Sequence, residues 1–118
     1  MDNCIFCKIG RGEIPSKKVY EDADIFAFHD IHPQAPVHFM VIPKRHIATL
    51  ADTTLDDAAV LGRMLAVTGR LARDQGLPDG YRTIINTGRI GRQEVMHLHM
   101  HVLGGPEPLG RMMPKSSA

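Results

Sequence analysis

The chain has 118 residues, 43% of them hydrophobic and 23% charged, and a formal net charge of +1. That length suits one domain with a modest core, and the composition is that of an ordinary globular protein. So small a net charge gives no long-range field toward nucleic acid, a membrane surface or an acidic partner.

The N-terminal "MDNCIFCKIG" has no basic segment followed by a long apolar core, and no apolar run is long enough to span a bilayer. A cytoplasmic location is therefore expected. Cys4 and Cys7 are the only cysteines. In a reducing compartment a Cys-x-x-Cys pair is more often a metal or redox site than a structural disulfide. Residues 4–10 suit one short helical turn ended by Gly10 and Gly12. "KVYEDADIFAFHD" reads as two strands, Lys18–Tyr20 and Ile25–His29, and "IHPQAP" as a turn. "VHFMVIP" is a β-branched, aromatic strand with His38, Met40 and Ile42 on one face and Val37, Phe39 and Val41 on the other.

One long helix is predicted from Thr53 or Thr54, capped through Thr53/Asp56 or Thr54/Asp57 and stopped by Gly76 and Pro78. Leu61, Met64, Leu65, Thr68, Leu71 and Ala72 make its apolar stripe. "YRTIINT" (81–87) is a further strand, "GRIGRQ" a loop, and "VMHLHMHVLGG" (95–105) the last strand. The tail from 106 to 118 reads as irregular. About five strands with short connections and one main helix make an α+β domain with antiparallel pairing, a single unit over residues 1–118.

The last strand carries the chemistry. Alternation along a strand puts His97, His99 and His101 on one face and Leu98, Met100 and Val102 on the other, with same-face neighbours about 6–7 Å apart. The apolar set can lie under the helix, leaving the imidazoles to line an open surface or cleft. A solvated polar face explains a lone histidine better than three in register with His38 nearby. Two chemistries remain open. Three imidazoles can hold Zn²⁺. Alternatively, one neutral imidazole is a nucleophile toward phosphorus and its neighbours handle protons and charge.

"HLHMHVLGG" resembles the motif of the histidine triad (HIT) superfamily. "IFCKIGRGEIPSKKVYED", "AFHDIHPQAPVHFMVIPKRHI" and "RQEVMHLHMHVLGG" are similar, in order and spacing, to its Hint branch, the purine nucleoside phosphoramidases. The resemblance covers nearly the whole chain. It implies a five-stranded antiparallel sheet with one long and one short helix, continued across a homodimer. It implies hydrolysis of the P–N bond of a nucleoside 5′-phosphoramidate of the AMP-lysine type, with no cofactor for catalysis. By position, His99 would be the nucleophile and carry a nucleotidyl intermediate. His101 would contact the phosphate, the His97 carbonyl would orient His99, and His38 would stand behind the nucleophile. Asp30 would bind the ribose hydroxyls, and Phe28, Ile31, Phe6, Ile5 and Ile9 would form a purine slot. Asn86, Gln93, Glu94 and Val95 would form the phosphate-side loop, largely through backbone donors.

From the residues themselves, a carboxylate between apolar groups in "FHDI" suits a ribose beside a buried base, while Asp30 could instead cap its turn. Arg92, where the family usually has Gly, Glu94, where some relatives have Ser, and Pro106, where Arg is frequent, depart from the pattern.

Cys4 and Cys7 form a half-site for Zn²⁺, with Cys₂His₂ as the obvious completion and His46 in "PKRHI" a candidate ligand. Some HIT proteins hold a structural zinc with an N-terminal Cys pair, a His at this place and the first triad His. Here those positions are Cys4, Cys7, His46 and His97. Rival readings are a zinc hydrolase using the triad as ligands, a nucleotide-binding scaffold with residual hydrolysis, and a dinucleoside polyphosphate hydrolase, against which "RQEV" argues.

Overall fold

The computed structural model describes residues 3–115. Five strands form one antiparallel sheet in the order β1-β2-β3-β5-β4, with β1 Lys18–Glu21, β2 Ile25–His29, β3 Val37–Pro43, β4 Arg82–Ile84 and β5 Met100–Gly104. α1, Ile5–Gly10, and α2, Ala58–Asp74, complete the α+β fold. The described part of the tail, 106–115, holds no helix or strand, and residues 116–118 lie outside the described residues. None of the helices is long and apolar enough to cross a membrane among the described residues.

Alternation in the two best strands splits the interior in two. Ile25, Ala27, Phe39, Val41, Met100 and Val102 face α2, where Met64 and Leu71 meet them. Phe26, Phe28, Met40 and Ile42 face the other way and are covered by Phe6 and Ile9 of α1. Pairing of Phe28 with Met40 and of Met40 with His101 brings that second face to the histidines.

The helix begins later than its predicted cap. Two 3₁₀ turns, Leu50–Asp52 and Leu55–Asp57, precede α2. Thr54 and Asp57 do form a capping box, but on the second of these turns; Thr53 instead donates its hydroxyl to the Leu50 carbonyl. Of the predicted stripe, Leu65 is exposed, whereas Met64, Thr68, Leu71 and Ala72 are buried. Gly76, at φ +85, ends α2, as expected.

The strand predicted over 95–105 pairs only from Met100. The register that sets Met100 opposite Val41 would set Leu98 opposite Pro43, which has no N–H to give a ladder. The Leu98 N–H goes instead to the Ile47 carbonyl at 2.7 Å. Likewise, of 81–87 only Arg82–Ile84 pairs with β5. His97 and His99 therefore approach the sheet on irregular chain, and the first triad histidine is free to turn away from the other two.

Candidate functional site

The three imidazoles do share the α1 side of the sheet, but not an open surface. His97 is fully buried and His99 almost so, while His101 is partly exposed. The covering group is Phe6, which meets His99 edge-on at 5.1 Å between ring centres and His97 at 6.1 Å. The chain folds this way locally because α1 starts one residue before Phe6, with Cys4 as its N-cap.

Hydrogen bonds fix each imidazole's tautomer, since a carbonyl oxygen only accepts and a backbone N–H only donates. The His99 Nδ1–H donates to the His97 carbonyl at 2.8 Å. Its Nε2 therefore keeps a lone pair, and has no hydrogen-bond partner among the described residues. The Gln34 N–H donates to His38 Nδ1 at 3.0 Å, so His38 Nε2 carries the proton and donates to His101 Nδ1 at 2.8 Å. His101 Nε2 then carries that ring's proton, and the ring lies 5.0 Å from the His99 ring between centres. One imidazole thus offers a lone pair and its neighbour a donor.

Burial enforces neutrality. It pushes His101 down to about 4, with the neighbouring His99 and His38 adding to the effect. It lowers His38 as well, against the pull of Asp30. The Asp30 Oδ2 lies 3.4 Å from His38 Nε2. With His38 neutral this is a polar contact rather than an ion pair, and the shorter bond to His101 takes the proton. His38 accordingly stands behind His101, not behind His99 as the sequence resemblance placed it. The cause is register: β3 pairs Met40 with His101, which sets His38 beside that ring.

The remaining expected residues divide. Phe6, Phe28 and Ile9 are buried in one cluster, with Val95 packed against it. Ile5 is half exposed and Ile31 exposed, so the structure does not draw them into that cluster. Asp30 accepts the His32 N–H at 2.8 Å, as the turn-capping alternative expects. Gln93 spends its amide on the loop itself. It accepts from the Gly88 N–H and donates to the carbonyls of Ala48 and Val95. Asn86 is half-buried and Glu94 exposed. Arg92 has a positive φ of 62, and a Cβ on neighbouring Gly91 would come within 2.6 Å of the Thr87 backbone. Sequence reasoning missed the Gln34 amide, a backbone group that no residue type announces.

A second cluster lies behind the first. Cys4 Sγ and Cys7 Sγ are 3.3 and 3.4 Å from His97 Nδ1, and Cys7 Sγ is 3.4 Å from His46 Nδ1. The ligand atoms of all four residues lie within 4.8 Å of one another. The edges of a tetrahedron with Zn–S of about 2.3 Å and Zn–N of about 2.0 Å would be about 3.5 Å, so the residues fit a Cys₂His₂ zinc. His97 Nε2–H donates to the Pro43 carbonyl at 2.8 Å, the outer hydrogen bond that orients a ligating imidazole. Without a metal, burial and the adjacent Cys4 push the Cys7 thiol up to about 11, so occupancy would release protons. The triad does not converge on one ion. His97 belongs to this cluster, His101 groups with Asp30 and His38, and His99 is in neither. A three-histidine zinc hydrolase is thereby disfavoured.

The HIT domain family matches residues 11–107. Protein HitA of Neisseria gonorrhoeae is 49% identical over 106 residues, covering 90% of this chain and 99% of its own. The purine nucleoside phosphoramidase of Escherichia coli K12 is 50% identical over 113 residues, covering 95% and 94%. Among solved structures, a HIT family hydrolase from Clostridium thermocellum superposes with a TM-score of 0.90 at 40% identity, covering 96% of this chain and 99% of that one.

Proposed function

The chain belongs to the HIT domain family, and from that premise we propose that it is a nucleotide hydrolase cleaving the P–N bond of purine nucleoside 5′-phosphoramidates, of the AMP-lysine type, through a nucleotidyl-histidine on His99. One observation carries this reading: His99 Nδ1–H is held by the His97 carbonyl, which leaves Nε2 as a free lone pair beside a donor on His101. The 50% identity to a protein named purine nucleoside phosphoramidase supports the substrate class.

In the first step the His99 Nε2 lone pair forms the N–P bond. The P–N bond to the amine breaks, and its electron pair leaves on the amine nitrogen, which takes a proton from solvent. His101 Nε2–H donates to a phosphoryl oxygen as charge develops there. As that bond forms His99 becomes cationic, and the His97 carbonyl bonded to Nδ1–H stabilises it. In the second step water attacks phosphorus and the electron pair returns to Nε2, releasing the nucleoside monophosphate. Phe6, Phe28 and Ile9, with the more exposed Ile5 and Ile31, suit a purine, and Asp30 a ribose. The backbone of the loop carrying Asn86, Gln93, Glu94 and Val95 suits the phosphate.

A structural zinc in Cys4, Cys7, His46 and His97 belongs to the same reading, with the phosphoryl chemistry metal-free. So do a single domain over 1–118, a homodimer with joined sheets, a cytoplasmic location and no nucleic-acid or membrane partner. The test is turnover of an adenosine 5′-phosphoramidate by wild type and His99→Ala. The reading expects activity only in the first, with AMP binding kept in both. Binding without turnover in wild type would favour the scaffold, and preference for a dinucleoside polyphosphate the related hydrolase.

A further inference from the structure

The nucleophile is oriented by a carbonyl, and the structure shows what holds that carbonyl. The His97 ring, fully buried, is pinned at both nitrogens: Nε2–H to the Pro43 carbonyl, and Nδ1 facing the two cysteine sulfurs at 3.3 and 3.4 Å. The sulfurs are themselves placed by α1. Cys4 is the N-cap, its Sγ accepts the Cys7 N–H at 3.3 Å, and Cys7 Sγ faces His46. Phe6, between the two cysteines, lies against both His97 and His99. The Leu98 N–H, tied to Ile47, completes the peptide unit that the His97 carbonyl belongs to. The thiol cluster and the nucleophile are therefore two ends of one short, fully bonded run of chain.

We propose that Cys4, Cys7 and His46 are positioning residues for His99, acting through His97, and that oxidation of Cys4 and Cys7 to a disulfide switches the enzyme off. As thiols, the pair can donate S–H to His97 Nδ1; as thiolates, they can share a metal ion with it. A disulfide can do neither. It also draws the sulfurs to about 2.0 Å apart, so both cannot keep their present places beside Nδ1. A buried imidazole nitrogen is then left unpaired, and the ring must shift to repair it. Any such shift moves the carbonyl that holds His99 in its nucleophilic tautomer.

The chemistry balances with a peroxide as oxidant. Cys4 is the more exposed of the two cysteines, and the oxidation starts there. Its thiolate displaces hydroxide from hydrogen peroxide, giving a sulfenic acid. The Cys7 thiol then attacks that sulfur, an S–S bond forms, and water leaves. Two thiols and one peroxide give one disulfide and two waters. Where the pair holds zinc as thiolates, the same oxidation expels the ion, and the two protons come from solvent.

The reaction that is switched rests on the function proposed above; the coupling of sulfurs to His99 does not. The test compares wild-type protein as reduced zinc-loaded, reduced zinc-free and peroxide-treated samples, with disulfide formation checked by a mass loss of two hydrogens. The measurements are kcat and KM on an adenosine phosphoramidate, AMP affinity, and long-range ¹H–¹⁵N spectra reporting the His99 tautomer. Oxidation is expected to lower kcat about tenfold or more. AMP affinity should change little, and His99 should lose its single Nδ1–H form. Reductant with Zn²⁺ should restore all three, and the reduced zinc-free sample should keep most of its turnover. Cys4→Ala/Cys7→Ala should have the low kcat permanently and ignore peroxide. A proven disulfide with unchanged kcat and unchanged His99 spectra would overturn the proposal, with or without a folded double variant. If no sample turns over a phosphoramidate, the functional reading fails, and the spectra still decide the coupling.

Discussion

Replacing His38 by Ala tests whether the tautomer chain matters. His38 is 5% exposed, and its ring joins the Gln34 N–H at 3.0 Å to His101 Nδ1 at 2.8 Å. Its loss leaves two polar groups without partners, each costing about 1–3 kcal/mol if it stays dry. Water admitted to the gap lowers that, so a stability loss of about 2–4 kcal/mol is expected in urea denaturation. The kinetic effect follows from His101. Removing a donor to the developing charge outright costs about 10²–10³ in kcat. His38→Ala leaves the imidazole there but unlocked, so about a tenfold loss is expected, against about a hundredfold for His101→Ala. Because His38 acts only through His101, the double variant should be no slower than His101→Ala alone. A double variant slower by the product of the two factors would refute this reasoning and return His38 to the nucleophile.

Stability should also fall as the solution is acidified from pH 6.5 to about 4. His101 is lowered from 6.5 to about 4 by burial first. Between those values the unfolded chain binds a proton that the folded chain refuses, so unfolding is favoured as pH drops. At about 1.4 kcal/mol per pH unit the ceiling is about 3.5 kcal/mol, less for partial exposure. His38 is lowered in the same direction. His101→Gln should flatten that part of the profile, and an unchanged slope would contradict the assignment.

In the loop before the triad, Arg92→Gly should be neutral to stabilising by about 1 kcal/mol. It relieves about 1–2 kcal/mol of left-handed backbone cost and loses about 0.5–1 to the freer unfolded chain. Gly91→Ala meets the Thr87 backbone and should lower both Tm and kcat. A Gly91→Ala protein with wild-type kinetics would show that the loop does not shape the site. Removing zinc with a chelator should lower Tm while leaving most of kcat, checked by calorimetry and the phosphoramidate assay.

Much of the fold was legible because the middle strands obey simple alternation. Ile25–His29 and Val37–Pro43 have the predicted limits, and their two faces divide the interior as the pattern requires. The helix start was not, since Thr54 caps equally well a 3₁₀ turn or a helix, and the choice rests on tertiary packing. The alternation of His97, His99 and His101 correctly gave them one side of the sheet. It could not show that Pro43 ends the ladder and that His97 turns to the cysteines. Nor does any residue type reveal that the Gln34 amide sets the first tautomer.

The central claim is that His99 Nε2 attacks phosphorus, and the most direct measurement is mass spectrometry of enzyme quenched in base within its first turnovers of an adenosine phosphoramidate. The account predicts one nucleotidyl group on the peptide bearing His99, formed and lost at rates consistent with kcat. Product accumulating with that peptide unmodified, and at an undiminished rate in His99→Ala, would contradict it.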